Sequence, residues 1–341
     1  MDPRRFSSIT SHYPHLKIAV LGDICLDRYL EIDPARAEIS IETNLVVHNV
    51  TRVRSQPGAA GTILNNLVAL GVGSLFPIGF HGDDGEGYEL RRALSKMPGV
   101  HLDHFLQTPD RRTFTYCKPL LIHPNKAPEE LNRLDSKNWT PTPESVASVL
   151  ARSLASLMPT LDALIIMDQV DVPETGVVTR SLLAEVEKLS SQFPQVLIIA
   201  DSRRGLKGFP PVAYKMNLAE LGTMIGRKAG GSIEDIKTQT LEAAQTNGRA
   251  AFVTLAERGI VGATAAGASA HVPSLPLRGE IDIVGAGDSV TANLTAALAS
   301  KASLPEAMEI AMAAASEVVH QLGTTGTASV PQIARLLALP T

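Results

Sequence analysis

Four short apolar runs restrict this chain to a small set of architectures: residues 18–21, 164–167, 196–200 and 251–255. Each is continuously hydrophobic instead of alternating, as in a strand covered on both faces. Segments of helical period lie between or beside them. Ala60, Ile63, Leu64, Leu67 and Val68 share one helix face, which Gly71 closes at a position suited to a left-handed residue. Residues 178–189, 234–244 and 306–322 repeat the pattern, the last expected to stop before Gly323. This alternation predicts an α/β fold, a three-layer Rossmann-like core around a mostly parallel, doubly wound sheet.

Two segments break the alternation. Ile39, Ile41, Thr43, Leu45 and Val47 occupy every second position between largely polar neighbours. The run Arg112, Thr113, Phe114, Thr115, Tyr116, Cys117 is β-branched and aromatic and is expected to end before Pro119. Both read as exposed antiparallel strands of a small separate sheet beside the main fold.

Composition removes several functions. Hydrophobic residues make up 44% and charged residues 19%, enough for a large packed core. A formal charge of −4 opposes nucleic-acid and anionic-membrane partners. The first ten residues lack a signal-peptide apolar stretch, and no apolar run reaches the length of a membrane span. With only Cys25 and Cys117, a multi-cysteine zinc site is excluded and a reducing, cytoplasmic location is expected. No Gly-x-x-x-x-Gly-Lys-Ser/Thr and no Gly-x-Ser-x-Gly occurs, which removes P-loop and nucleophile-elbow chemistry. His320 reads only as part of a helix face.

Three predicted strands run into aspartates, Asp23, Asp168 and Asp201, at the sheet edge where open parallel sheets bind ligands. The strongest local signal is Asp282-Ile283-Val284-Gly285-Ala286-Gly287-Asp288 ahead of a small-residue helix. Glycines at a loop-to-helix junction let the backbone approach a ligand, and first-turn N–H groups bind anions. A carboxylate in such a nest makes sense as a base taking a proton from an attacking hydroxyl. Taken alone, Asp288 is equally an N-capping residue after a glycine turn.

In chain order, the residues add up to a resemblance. Gly-Ala-Gly-Asp at 285–288 resembles the second signature of the ribokinase-like (PfkB) carbohydrate kinases. The segment Val20-Leu21-Gly22-Asp23-Ile24-Cys25-Leu26-Asp27-Arg28-Tyr29 is similar to the first strand and turn of their D-glycero-D-manno-heptose-7-phosphate kinase branch, the kinase part of ADP-heptose synthase. Ile39, Ser40 and Glu42 resemble that branch's lid strand, and Pro57-Gly58-Ala59-Ala60 through Asn66 the first family signature. Asn217-Leu218-Ala219-Glu220 resembles the family's Asn-x-x-Glu motif; Val253, Thr254, Glu257, Arg258 and Gly259 resemble its nucleotide-side strand and turn. The similarity runs from about residue 17 to about residue 330.

The resemblance implies a ribokinase-like core (residues 1–30, 55–105 and 125–341) with a β lid (31–54 and 106–124). It implies an ATP-dependent kinase of a sugar or sugar phosphate, a heptose-7-phosphate-like acceptor first, with Asp288 as base and Gly285, Ala286 and Gly287 as anion hole. Acceptor contacts are expected from Asp23, Asp27, Gly58, Ala59, Thr62 and Arg133. Nucleotide contacts are expected from Asn217, Glu220, Thr254, Glu257, Gly259 and Gly323, with Asn217 and Glu220 organising Mg²⁺ through water. A monovalent cation and a homodimer formed through the lid are further family expectations. Arg203, Arg204 and Lys207 are candidates for an acceptor phosphate. Two departures fall on the acceptor side: Ala59 stands where the family has a second glycine, and Thr62 where it commonly has Asn. They keep open a ketohexose, ribose or nucleoside acceptor, and a non-catalytic sugar- or nucleotide-binding regulator. At 341 residues, no nucleotidyltransferase domain is expected.

Overall fold

The computed structural model describes residues 1–338. The first half of the chain contributes strands β1 (Lys17–Gly22), β2 (Ile24–Ile32), β3 (Glu38–Ile39), β4 (Val46–Val47), β5 (Val50–Ala59), β6 (Ser74–Gly82), β7 (Phe105–Thr108), β8 (Thr115–Leu121) and β9 (Glu129–Glu130). The second half adds β10 (Ala163–Asp168), β11 (Leu197–Ser202), β12 (Ala213–Asn217), β13 (Ala251–Thr254), β14 (Ile260–Ala263) and β15 (Ser269–Val272). Helices α1 (Pro3–Thr10), α2 (Ala60–Ala69), α3 (Gly85–Leu94), α4 (Glu144–Leu157) and α5 (Arg180–Gln192) alternate with them. So do α6 (Leu218–Ile225), α7 (Ile233–Asn247), α8 (Ala286–Ala299), α9 (Leu304–Val318) and α10 (Val330–Leu336).

Nine strands form one sheet in the order β15-β14-β13-β12-β11-β10-β1-β6-β7. All neighbours from β7 to β13 are parallel, and β14 and β15 close that edge antiparallel. The pleat of β1 sends Ile18 and Val20 into one core with α2, α8 and α9, and Ala19 and Leu21 into the other with α4, α5 and α7. Burial on both faces is why the strand reads as an unbroken apolar run.

A second sheet has the order β5-β2-β8-β9. It takes in more chain than the expected lid spans, starting at Ile24 and ending at Glu130, while β7 belongs to the main sheet. The turn expected around Asp27 is absent: β2 begins directly after Asp23, so Asp27, Arg28 and Tyr29 are strand residues. The strand expected before Pro119 runs through it to Leu121, and it pairs with β2 in parallel, not antiparallel. Pro119 fits because its carbonyl, accepting from Leu131 N at 2.9 Å, is what this position supplies.

The alternation at Ile39 to Val47 is not one strand. Two-residue β3 and β4 pair antiparallel around a tight turn in which Asn44 takes φ +55°. Ile39, Ile41, Leu45 and Val46 remain exposed, so no core is present to hold a longer strand in register. Helix α9 likewise ends at Val318, four residues before the expected Leu322.

Ala59 carries the clearest backbone strain near the cleft, with φ +54° and ψ −120° at the start of α2. Ala59→Gly is therefore expected to stabilise the fold by about 1 kcal/mol, the relieved strain offset in part by glycine's greater unfolded-state entropy. Thermal unfolding reads this out; a lower midpoint would show that the alanine is relaxed there.

Candidate active site

The carboxyl ends of the parallel strands, the start of α8 and the inner face of the second sheet meet in one cleft. Gly285 sits at φ +83° just before α8, a conformation that a Cβ disfavours, and its Cα faces Thr62 and Thr325. The turn is pinned by Asp282, whose carboxylate accepts from Val284 N at 3.0 Å and Gly323 N at 3.3 Å. Ala286, Gly287 and Asp288 then form the first turn of α8, whose leading N–H groups lack intrahelical partners. Asp288 is enclosed by protein yet keeps accessible surface, as at the floor of a cleft. Burial pushes its carboxyl up to about 7; the neighbouring charges of Asp201 and Asp27 add to this, and Lys215 opposes it.

Lys215 was not singled out as a site residue, and it lies at the centre. It is the middle residue of β12, its side chain is buried, and its Nζ donates to Asp201 Oδ2 at 2.7 Å. Thr291 Oγ1, from α8, donates to the same oxygen at 2.9 Å. A Cβ on Gly287 would come within 3.1 Å of Lys215 Nζ, so the ammonium lies directly beneath the glycine turn. Burial works against its charge, but Asp201, with Asp288 and Glu220 behind it, keeps its pKa above the usual lysine value. The sequence signal was a single cation inside the apolar run Val212, Ala213, Tyr214, Met216.

On one side lies a cavity of about 720 Å³, within the size range of small-molecule sites. Asn217, Thr254, Glu257, Gly259, Ala286 and Gly287 line its polar end; Leu275, Leu277, Ile281, Ile283, Met312 and Val319 line its apolar walls. Six expected residues are thus brought together, while Gly323 meets them only through Asp282. Ser316 adds a buried hydroxyl without a protein partner. Asn217 and Glu220 form a capping box on α6: Asn217 Oδ1 accepts from Ala219 N and Glu220 N, and Glu220 Oε2 from Asn217 N at 2.7 Å. Burial raises the Glu220 carboxyl above its ordinary value. Among the described residues no cluster of three or more His, Cys, Asp or Glu could hold a metal by itself. This donor set fits Mg²⁺ carried in on phosphate oxygens, with one carboxylate nearby.

On the other side, Asp27 of β2 presses its carboxylate against Gly58; a Cβ there would stand 2.5 Å from Asp27 Oδ2. Burial raises Asp27, and Lys118 and Arg133 oppose that rise. Asp23 sits differently. It is fully buried and accepts from Val177 N at 2.7 Å and Gln169 N at 2.9 Å, which ties β1 to the loop after β10. Burial, then the charge of Asp168, pushes it up to about 6. Asp168 and Asp201 are likewise bound to protein, to Arg204 at 2.7 Å and to Lys215. Of these four aspartates, Asp201 and then Asp27 are the ones whose charge raises the Asp288 carboxyl, and of the two only Asp201 is tied up by Lys215.

Arg203 pairs with Asp171 at 3.4 Å, and Lys137 with the same carboxylate at 2.8 Å. Arg133 pairs with Asp135 and stacks 5.0 Å from the Tyr116 ring centroid, with Lys137 5.8 Å from the same ring. Two cations of the segment after β9, Arg133 and Lys137, therefore face Tyr116, and Arg203 from the end of β11 joins them through Asp171.

Residues 211–331 match the family described as pfkB family carbohydrate kinase. The bifunctional protein HldE of Granulibacter bethesdensis is 27% identical over 90% of this chain and 62% of its own length. That of Ectopseudomonas mendocina is 29% identical over 95% of this chain and 64% of its own. The chain thus spans less than two thirds of these relatives. Among solved structures, phosphofructokinase-2 from Escherichia coli in complex with substrates and products superposes with a TM-score of 0.73 at 19% identity, covering 95% of this chain and 98% of that one. Arabidopsis thaliana ribokinase complexed with ribose and ATP gives 0.66 at 18% identity, covering 95% and 99%. The fold is ribokinase-like.

Proposed function

We propose that this chain, a sugar phosphotransferase carrying a pfkB-family carbohydrate kinase domain, moves the γ-phosphoryl group of ATP to a hydroxyl of a sugar phosphate, a heptose 7-phosphate or an acceptor of that kind. The observation that carries the reading is Asp288: a carboxyl held near neutrality at a helix N-terminus, between a nucleotide-sized cavity and the Asp27 side of the cleft. A base with that pKa is matched to proton abstraction at physiological pH.

Asp27 and Gly58 hold the acceptor with one hydroxyl toward Asp288. Asp288 takes that hydroxyl's proton as its oxygen bonds to the γ-phosphorus, and the bond to the β–γ bridging oxygen breaks to release ADP. The N–H groups of Gly285 and Gly287, with Lys215 beneath them, receive the charge on the transferred group, while Ala286 N donates to Ile283 O at 3.2 Å and holds the turn. Mg²⁺, when bound, neutralises phosphate charge, with Asn217 and Glu220 arranging its water. The cations around Tyr116 favour an acceptor that already bears a phosphate.

ATP consumption over heptose 7-phosphates, ketohexose phosphates, free hexoses, ribose and nucleosides tests this directly, with potassium exchanged for sodium to read monovalent-cation dependence. The fastest turnover is expected on a phosphorylated acceptor. A free sugar as best substrate would remove the phosphate assignment, and binding without turnover anywhere would make the chain a regulator.

The same reading includes a homodimer. Ile41, Leu45, Val46, Val50 and Val53 expose apolar surface on and beside the second sheet, which a second copy would cover. Ile41→Asp with Leu45→Asp should halve the particle mass in sedimentation; an unchanged mass would place any interface elsewhere. No helix among the described residues is long and apolar enough to cross a membrane. We assign the enzyme to the cytoplasm, where the buried free thiols of Cys25 and Cys117 stay reduced.

A further inference from the structure

The walls of the cavity are not all held equally. Between β15 and α8 the chain runs from residue 273 to residue 285 without regular structure, yet it supplies Leu275, Leu277, Ile281 and Ile283 to the apolar face. Leu277 and Ile283 are 62% and 73% exposed, so little core packing fixes them. The segment is tied at its start by Ser274 Oγ donating to Glu257 O, and at its end by Asp282 N donating to Val319 O at 2.8 Å. Midway, its backbone is held by one imidazole: Arg278 N donates to His320 Nε2 at 2.9 Å. The Arg278 side chain adds only long contacts, at 3.4 Å to Ser316 O and 3.5 Å to Glu317.

Both partners of that ring have fixed polarity. His320 Nδ1 lies 2.6 Å from Ser316 O, and a carbonyl only accepts, so Nδ1 carries the proton. Arg278 N only donates, so Nε2 must present its lone pair. The ring fits this site only as the neutral Nδ1–H tautomer. A second proton would set Nε2–H against Arg278 N–H and break the tie. The nearest charged groups along its partners are Arg278, whose guanidinium reaches Glu317 of α9 at 3.5 Å, and Asp282, whose backbone N–H donates to Val319 O and whose carboxylate accepts from Gly323 N.

We propose that His320 is a positioning residue for the nucleotide: its neutral imidazole holds the 273–285 segment as the wall of the base-binding cavity, and its protonation loosens that wall. The inference rests on reading the cavity as the nucleotide site. Protonation then acts as a brake, lowering nucleotide affinity in acid without touching the reacting atoms.

The test is calorimetric binding of a non-hydrolysable ATP analogue with Mg²⁺ to the full chain, from about pH 8 down to about pH 5.5. His320→Ala removes one hydrogen-bonded tie, so affinity at pH 8 should fall about 3- to 10-fold. The KM for ATP should rise by the same factor, with kcat within about twofold. His320→Gln can still accept from Arg278 N and donate to Ser316 O but cannot take up a proton; it should bind like wild type at pH 8 and weaken less in acid. Comparing these two proteins cancels the titration of the ligand. Equal affinity of wild type and His320→Ala, or parallel pH curves for wild type and His320→Gln, would overturn the inference alone. A wild-type chain that binds no nucleotide would overturn the kinase reading with it.

Discussion

Asp288→Asn is expected to lower turnover by about 10²- to 10⁴-fold while leaving nucleotide binding intact, because it removes the base and keeps the shape. The pH profile gives the sharper result. The base acts ionised, and the free carboxyl lies at about 7, so wild-type kcat/KM should rise about tenfold per unit below that value and level off above it. The residual activity of the Asn variant should lack this limb. Stability should move the other way. A carboxyl whose folded pKa is raised contributes stability that is present below its unfolded value, about 4, and is lost as pH rises through about 7. At pH 8 the folded wild type therefore bears an ionised, largely enclosed carboxylate that Asn does not. Asp288→Asn should melt higher than wild type at pH 8, with the difference shrinking below about pH 5. Unchanged turnover would sink the base assignment; a lower melting point at pH 8 would mean that Asp288 is a structural cap.

What was legible in the sequence follows from how local each signal is. The parallel strands announce themselves because burial on both faces leaves continuous apolar runs such as residues 164–167, within β10. The glycine turn was legible because φ +83° at Gly285 is a backbone requirement written in one residue. The second sheet was misread where its order depends on distant partners: β8 pairs with β2 about 90 residues upstream, and nothing between residues 112 and 121 encodes a parallel partner. Aspartates at strand ends could not be ranked from sequence. Asp23 and Asp27 are four positions apart in one motif, yet backbone N–H groups from residues 169 and 177 occupy the first, while the second faces the cleft. His320 reads as part of a helix face because the apolar period continues to residue 322, whereas α9 ends at Val318 and leaves the ring free to accept from Arg278 N.

Lys215→Met should produce the second large effect, and a paired variant separates its two causes. Removing the cation leaves Asp201 buried with only the Thr291 hydroxyl, a situation that typically costs about 3–5 kcal/mol. The same change removes the charge that opposes the rise at Asp288, so the acid limb of kcat/KM should move to higher pH. Turnover at its plateau should fall by about 10²- to 10³-fold if the ammonium also receives charge on the transferred phosphoryl group. Adding Asp201→Asn tells structure from chemistry. The double variant has no orphaned carboxylate, so most of the lost stability should return. Its pH limb should move back down from that of Lys215→Met, since the Asp201 charge that raises Asp288 is gone as well. Its plateau turnover should nevertheless stay low, because nothing replaces a positive charge beneath Gly287. A double variant that regains wild-type turnover would reduce Lys215 to a counter-ion for Asp201 and leave the glycine turn and the metal to carry the phosphoryl charge by themselves.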